Sequence, residues 1–341
     1  MVLETTTLPL SHSPKSTLSQ SFSIKYAHTR LNDALRTNFS ITVDKKSVKG
    51  NILWYNLYKD WSDENMKNTQ KIKKIGFIGI GNMGTPMILA LAKAGRFKAG
   101  EIEFFDIDTE KVTQLAKSLK KEGFKPFATA EEMIKECDLV VLAVKPNVFK
   151  AVLAGSQGMF DKTILVSIVA GISCEMLEDA AGKGSKVVRA MPNTPCQIGE
   201  GVTLLSKGKR MGKEEFDEII EIFKTFGVAE ELPEKLMNEV IALTASSPAY
   251  VFVLIEAMAD AAVQSGIPRA TAYRLAAQAV QGSARLVLET GKQPGELKDA
   301  VCSPGGTTIE AVAKLEEKGF RSAVIEAMGA CTDKARKLAK G

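Results

Sequence analysis

Histidine is nearly absent from this chain. Of 341 residues only two are histidine, His12 and His28, and both stand near the start. If the working part begins later, its chemistry uses no imidazole. That excludes His-dependent hydride transfer, Ser-His-Asp hydrolysis and most zinc catalysis. Cysteine is sparse and odd in number: Cys137, Cys174, Cys196, Cys302 and Cys331, with no CxxC pair. This argues against a disulfide framework or a metal site and for reduced thiols in the cytoplasm. No apolar run approaches the roughly 20 residues of a membrane span. The net charge of +5 is spread over the whole chain, without a basic stripe interleaved with aromatics, so nucleic acid is not an expected partner.

What is present divides into three parts. Residues 1–70 hold both tryptophans, Trp54 and Trp61, and show no sustained period. They read as a poorly ordered extension, and MKNTQKIKKIGFIG from Met66 looks like a natural start. Residues 71–233 alternate between strand and helix patterns. The runs KKIGFIGIG, EIEFFDID, CDLVVLAVKP, KTILVSIVAG and SKVVRAMPN fit strands buried on both faces. The expected fold is α/β, a Rossmann-like doubly wound domain. Residues 234–341 turn wholly helical. One long apolar helical region runs from Lys235 toward Gly266, a second from Ala270 to Gly291, and a last pair spans roughly 307–340. So much apolar helix surface needs a second copy to bury it, so a dimerisation domain is expected.

GFIGIGNMG places Gly79, Gly81 and Gly84 in a G-x-G-x-x-G pattern between a strand and a helix. Such a turn lets backbone amides and a helix N-terminus approach a dinucleotide pyrophosphate. Asp106 ends the second strand, about 20 residues on, where a carboxylate can bind the adenosine ribose. It would repel a 2′-phosphate and so leans toward NADH over NADPH. Asp108 can share that role, and Lys111 is near in sequence. Ligands of open α/β sheets sit beyond the carboxyl ends of the strands. The stretches from Ala143 to Asn147, Val169 to Gly171 and Met191 to Pro195 should therefore line the nicotinamide end. The run SPGGTT before a helix is open to two readings, an ordinary N-cap or an anion-binding entrance.

Taken together, GFIGIGNMG, LAVKP, VRAMPNTP, SPAYVF, ADAAVQSGIPR and above all LKDAVCSPGGTTIEAV resemble pyrroline-5-carboxylate reductase over residues 72–338. The resemblance implies NAD(P)H-dependent reduction of 1-pyrroline-5-carboxylate to L-proline, the last step of proline biosynthesis. It implies a Rossmann domain followed by an interlocking helical dimer, with rings of dimers in some members. The pyrophosphate would lie on Ile78, Gly79, Ile80, Gly81, Asn82 and Met83. Ala143, Val144, Lys145, Pro146, Ile168, Val169, Ala170 and Asn193 would follow the nicotinamide half. Ser303, Gly305, Gly306, Thr307 and Thr308 would form the substrate loop, with Glu234 facing the substrate region and the Thr308 hydroxyl on the ring nitrogen. Ala245 and Ala300 depart from a glycine and an asparagine that other members carry. Two readings remain open beside this one: another Rossmann-plus-helical dehydrogenase acting on a hydroxy acid or related imine, and a dinucleotide-binding scaffold without turnover.

Overall fold

A computed structural model describes residues 71–121 and 123–338. The extension expected over residues 1–70, with the start at Met66, lies outside the described residues.

Short Val, Ile, Leu and Phe runs build one seven-stranded sheet. Its strands are β1 (Ile75–Ile78), β2 (Ile102–Phe105), β3 (Leu139–Leu142), β4 (Ile164–Ser167), β5 (Val187–Met191), β6 (Gly201–Lys207) and β7 (Gly227–Glu231). They lie in the order β2-β1-β3-β4-β5-β6-β7, all neighbours parallel except β5 and β6. Six helices sandwich the sheet. α1 (Gly84–Ala94), α2 (Thr109–Ser118) and α6 (Lys213–Phe223) share a core with Phe77 and Val141. α3 (Ala130–Lys135), α4 (Phe149–Leu153) and α5 (Cys174–Ala181) share the opposite core with Ile78 and Val140. Alternate residues of each inner strand thus feed two cores, which is why those strands are apolar throughout.

The five expected strands form, and two more follow. β6 runs back antiparallel to β5 after a tight turn at Thr194–Ile198. It buries Thr203 and Ser206 among its apolar residues, and β7 is an edge strand largely exposed and ending in Glu230 and Glu231. Neither has the unbroken apolar run that marks the inner strands.

Beyond β7 the described chain is helical: α7 (Ser247–Gln264), α8 (Arg269–Thr290), α9 (Pro294–Val301), α10 (Thr307–Glu317) and α11 (Phe320–Leu338). The helix expected from Lys235 begins only at Ser247. Pro248 has no N–H to give an earlier turn and sits in the first turn of α7, where none is needed. α9 is an addition to the expected helices. Across α7 and α8 only Ala259, Ala272 and Ala276 are buried within one chain. Phe252, Val253, Leu275, Leu286 and Leu288 stay exposed, Leu288 to 81%. No helix of the described residues is long and apolar enough to cross a membrane.

Candidate active site

Strand register gathers the expected residues. Ile78 pairs with Phe105 and Leu142, and Leu142 pairs with Ser167. The residues that follow, Gly79, Asp106, Ala143 and Ile168, therefore leave the sheet side by side at its carboxyl edge. β2 and β3 flank β1, so this edge is where strand order reverses, the usual ligand crevice of such sheets.

The glycine turn is shaped by close approach. Gly79 has φ +97°, and a Cβ there would lie 2.6 Å from the Ala143 carbonyl oxygen. A Cβ on Gly84 would lie 2.1 Å from the Gly79 carbonyl oxygen. Gly81 instead faces open space, with no atom within 4 Å of a would-be Cβ. The amides of Gly81, Asn82 and Met83 donate to nothing in the described chain, and α1 starts without a side-chain cap. Open space ringed by free N–H groups at a helix N-terminus fits a pyrophosphate. Ile78 and Ile80 are buried, one in each of the two cores that flank the sheet.

Asp106 is bound more tightly than its sequence position suggests. Its Oδ2 accepts from the Ile80 amide at 2.9 Å and its Oδ1 from the Asp108 amide at 3.0 Å. The carboxylate thus pins the glycine turn to the end of β2, and the Ile80 amide is spent. Asp108 caps α2, accepting from the Lys111 amide at 3.1 Å, and pairs with Lys111 Nζ at 3.1 Å. These bonds hold the Asp108 carboxyl below the ordinary carboxylate range.

Ala143 and Val144 are half-buried, while Lys145 and Pro146 are exposed. Val169 is buried, Ile168 half-buried and Ala170 exposed. Asn193 is occupied at both ends: Oδ1 accepts from the Val202 amide at 2.9 Å and Nδ2 donates to the Thr244 carbonyl at 3.0 Å. Glu234 faces the sheet. Its Oε1 accepts from the Cys174 amide at 2.7 Å and from Arg189 Nη1 at 3.4 Å, and Arg189 Nη2 donates to Asn238 Oδ1. Burial, and then the Glu234 carboxylate, push the Cys174 thiol up to about 12.

Ser303–Gly306 forms a tight turn closed by the Gly306 amide on the Ser303 carbonyl at 3.0 Å. Pro304 supplies its second corner and Gly305, at φ +67°, the left-handed third. Gly306 is the N-cap of α10 and brings no side chain to cap it. A Cβ there would lie 2.4 Å from Ser303 Oγ. The amides of Thr307 and Thr308 and both hydroxyls have no partner in the described chain. An ordinary N-cap would have closed on itself; this one is open, as an anion-binding entrance requires. No hydrogen bond or ion pair among the described residues ties residues 303–308 to the sheet domain.

One cluster was not assigned from sequence, although SPAYVF stood out there. A cleft of about 550 Å³ is lined by Thr194, Ala245, Ser246, Tyr250, Phe252 and Cys331. Cys331 Sγ lies 3.3 Å from Ser246 Oγ, and the Tyr250 hydroxyl sits against both. Only the spacing of Ser246 and Tyr250, one helical turn apart, could have signalled it.

The carboxyl-edge crevice and helical half define a dinucleotide-dependent oxidoreductase of the Rossmann class. Family models agree: "NADP oxidoreductase coenzyme F420-dependent" matches residues 74–171 and "Pyrroline-5-carboxylate reductase dimerisation" matches residues 234–338. The chain belongs to the pyrroline-5-carboxylate reductase family. It is 47% identical over 269 residues to the pyrroline-5-carboxylate reductase of Escherichia coli K12, covering 79% of this chain and 99% of that one. The Arabidopsis thaliana enzyme is 36% identical, with 78% and 96% covered. The solved Coxiella burnetii reductase superimposes with a TM-score of 0.72 at 32% identity, over 78% of this chain and 98% of that one. The Plasmodium falciparum reductase, solved with NADP bound, gives 0.69 at 30% identity, with 79% and 98% covered.

Proposed function

We propose that this protein reduces 1-pyrroline-5-carboxylate to L-proline with a nicotinamide dinucleotide, closing proline biosynthesis. The observation that carries it is the pairing, in one chain of this family, of an open pyrophosphate cradle at Gly81–Met83 with an uncapped, glycine-led entrance to α10.

The substrate is a small cyclic imine bearing one carboxylate. The free amides at Thr307 and Thr308 grip that carboxylate, helped by the helix dipole and the Ser303 and Thr307 hydroxyls. The Thr308 hydroxyl bonds the ring nitrogen. The dinucleotide supplies the hydride, and the protonated imine accepts it best, so no strong base is needed. What the protein supplies is orientation, holding donor and acceptor carbons about 3–3.5 Å apart. Ala143–Pro146 and Ile168–Ala170 flank the nicotinamide half. Asn193 and Glu234 brace the wall between sheet and helices, Asn193 through Val202 and Thr244, Glu234 through Arg189.

The finer assignments rest on the same features. The acidic adenosine end of the crevice favours NADH. The exposed apolar faces of α7 and α8 fit a partner copy, whose α10 entrance completes the cleft; rings of such dimers would use a second surface. Buried free thiols at Cys137, Cys174 and Cys196 suit the cytoplasm. The test is initial-rate oxidation of NADH and NADPH with 1-pyrroline-5-carboxylate, using the full chain and the chain from Met66 onward, beside a panel of 3-hydroxy acids with NAD+. Rapid turnover of the imine by both forms is expected. Turnover of a hydroxy acid alone would replace this reading.

A further inference from the structure

The two carboxylates at the adenosine end do different work. Asp106 is the obvious reader of the ribose, yet both its oxygens are bound by backbone amides, Ile80 on one side and Asp108 on the other. Removing its charge loosens the glycine turn before it changes which ribose is accepted. Asp108 binds the first turn of α2 through the Lys111 amide and neutralises the Lys111 ammonium, both at 3.1 Å. Lys111 is the cation nearest this end in the chain, and it is exposed but already paired. Ile107, between the two acids, is 92% exposed and offers an apolar platform on the same edge.

We propose that Asp106 is the latch of the phosphate turn and that the Asp108–Lys111 pair discriminates against a 2′-phosphorylated dinucleotide. A 2′-phosphate arriving here meets the Asp108 carboxylate and a lysine already paired with it. Discrimination then depends on Asp108 keeping Lys111 occupied. Asn caps a helix as well as Asp does, so Asp108→Asn preserves α2 while releasing the lysine. The freed ammonium can then bind phosphate as a point charge.

This inference rests on the dinucleotide reading given above, and the experiment separates the two. Dissociation constants for NADH and NADPH are measured by calorimetry, without substrate, on the wild-type full chain, Asp108→Asn, Asp108→Asn/Lys111→Ala and Asp106→Asn, each first shown folded by circular dichroism. Wild type should bind NADH more tightly. Asp108→Asn should shift the ratio of the two constants roughly tenfold toward NADPH, about 1.4 kcal/mol. Adding Lys111→Ala should cancel that shift. Asp106→Asn should weaken both nucleotides together, leaving their ratio near that of wild type. Raising the salt should erode the Asp108→Asn gain, because the new contact is exposed. An unchanged ratio in Asp108→Asn, or a ratio reversed by Asp106→Asn alone, overturns the proposal. So does a wild type that prefers NADPH, which leaves the reductase reading intact. A wild type that binds neither nucleotide defeats both.

Discussion

Thr308 carries the sharpest single-residue expectation. Its hydroxyl and amide stand free at the second position of α10, beside an N-cap that offers no side chain. Thr308→Ala should lower kcat/KM tenfold to a hundredfold, the loss of one oriented hydrogen bond to a charged group worth about 1.5–3 kcal/mol. Steady-state rates equal to wild type would remove the hydroxyl from the reaction. The buried thiols carry a second expectation, about stability. Burial raises Cys137 and Cys174 from 9.0 to about 12 and Cys196 to about 11. In the unfolded chain these thiols ionise near pH 9, and in the folded chain only two to three units higher. The stability gained by keeping them neutral is therefore complete below pH 9 and is lost as pH rises toward 11–12. Denaturant titrations should show unfolding free energy falling across that window. In Cys137→Ala the fall should be shallower by up to about 1.4 kcal/mol per pH unit. An identical slope would mean that the thiol is not protected.

Among the elements, the edge of β2 offers the clearest case of one side chain holding a turn. Lys121, just past α2, donates to the Ile102 carbonyl at 2.7 Å and to Glu103 Oε2 at 2.5 Å, over the Phe124 ring. Both charged side chains are nearly buried. Lys121→Ala leaves the Glu103 carboxylate buried and alone, so chemical denaturation should report a loss of about 3–5 kcal/mol. A double variant, Glu103→Gln/Lys121→Met, should recover much of it. The elements also mark what could be read in advance. β1 to β5 announce themselves because both faces are covered and every residue must be apolar. β6 and β7 do not, since one buries Thr203 and Ser206 and the other is an acidic edge. The start of α7 depended on where Pro248 falls within the first turn, a matter the apolar pattern does not record. Motifs led to the glycine turn and the Ser303–Thr308 entrance, because glycine positions reflect backbone approach directly. The bracing roles of Asn193 and Glu234 were hidden, because their partners Val202, Thr244, Cys174 and Arg189 are distant in sequence.

At the level of the whole molecule, no hydrogen bond or ion pair among the described residues ties the Gly81–Met83 cradle to the Ser303–Thr308 entrance within one chain. If the α10 entrance of one copy serves the sheet of the other, two crippled chains should rescue each other. Gly81→Asp puts a carboxylate into the open cradle, and Gly306→Val forces a side chain against Ser303 Oγ. Each alone should be inactive. Refolded together in equal amounts, they should regain about a quarter of wild-type activity, because half the dimers are mixed and each carries one intact site. No recovery would mean that each chain works alone. Leu288→Asp, on the exposed face of α8, should shift the protein toward monomer in sedimentation and lose activity with it. The bracing bonds also have a mechanical meaning. Four hydrogen bonds, Asn193 to Thr244, Glu234 to Cys174, and Arg189 to Glu234 and to Asn238, stitch the sheet to the segment that leads into the helices. A swing about that segment would have to tear all four at once, so it is a poor pivot. The Ser303–Thr308 turn carries no such stitches to the sheet, so if proline release is slow, stopped-flow release rates should change with variants there and not with the seam left intact.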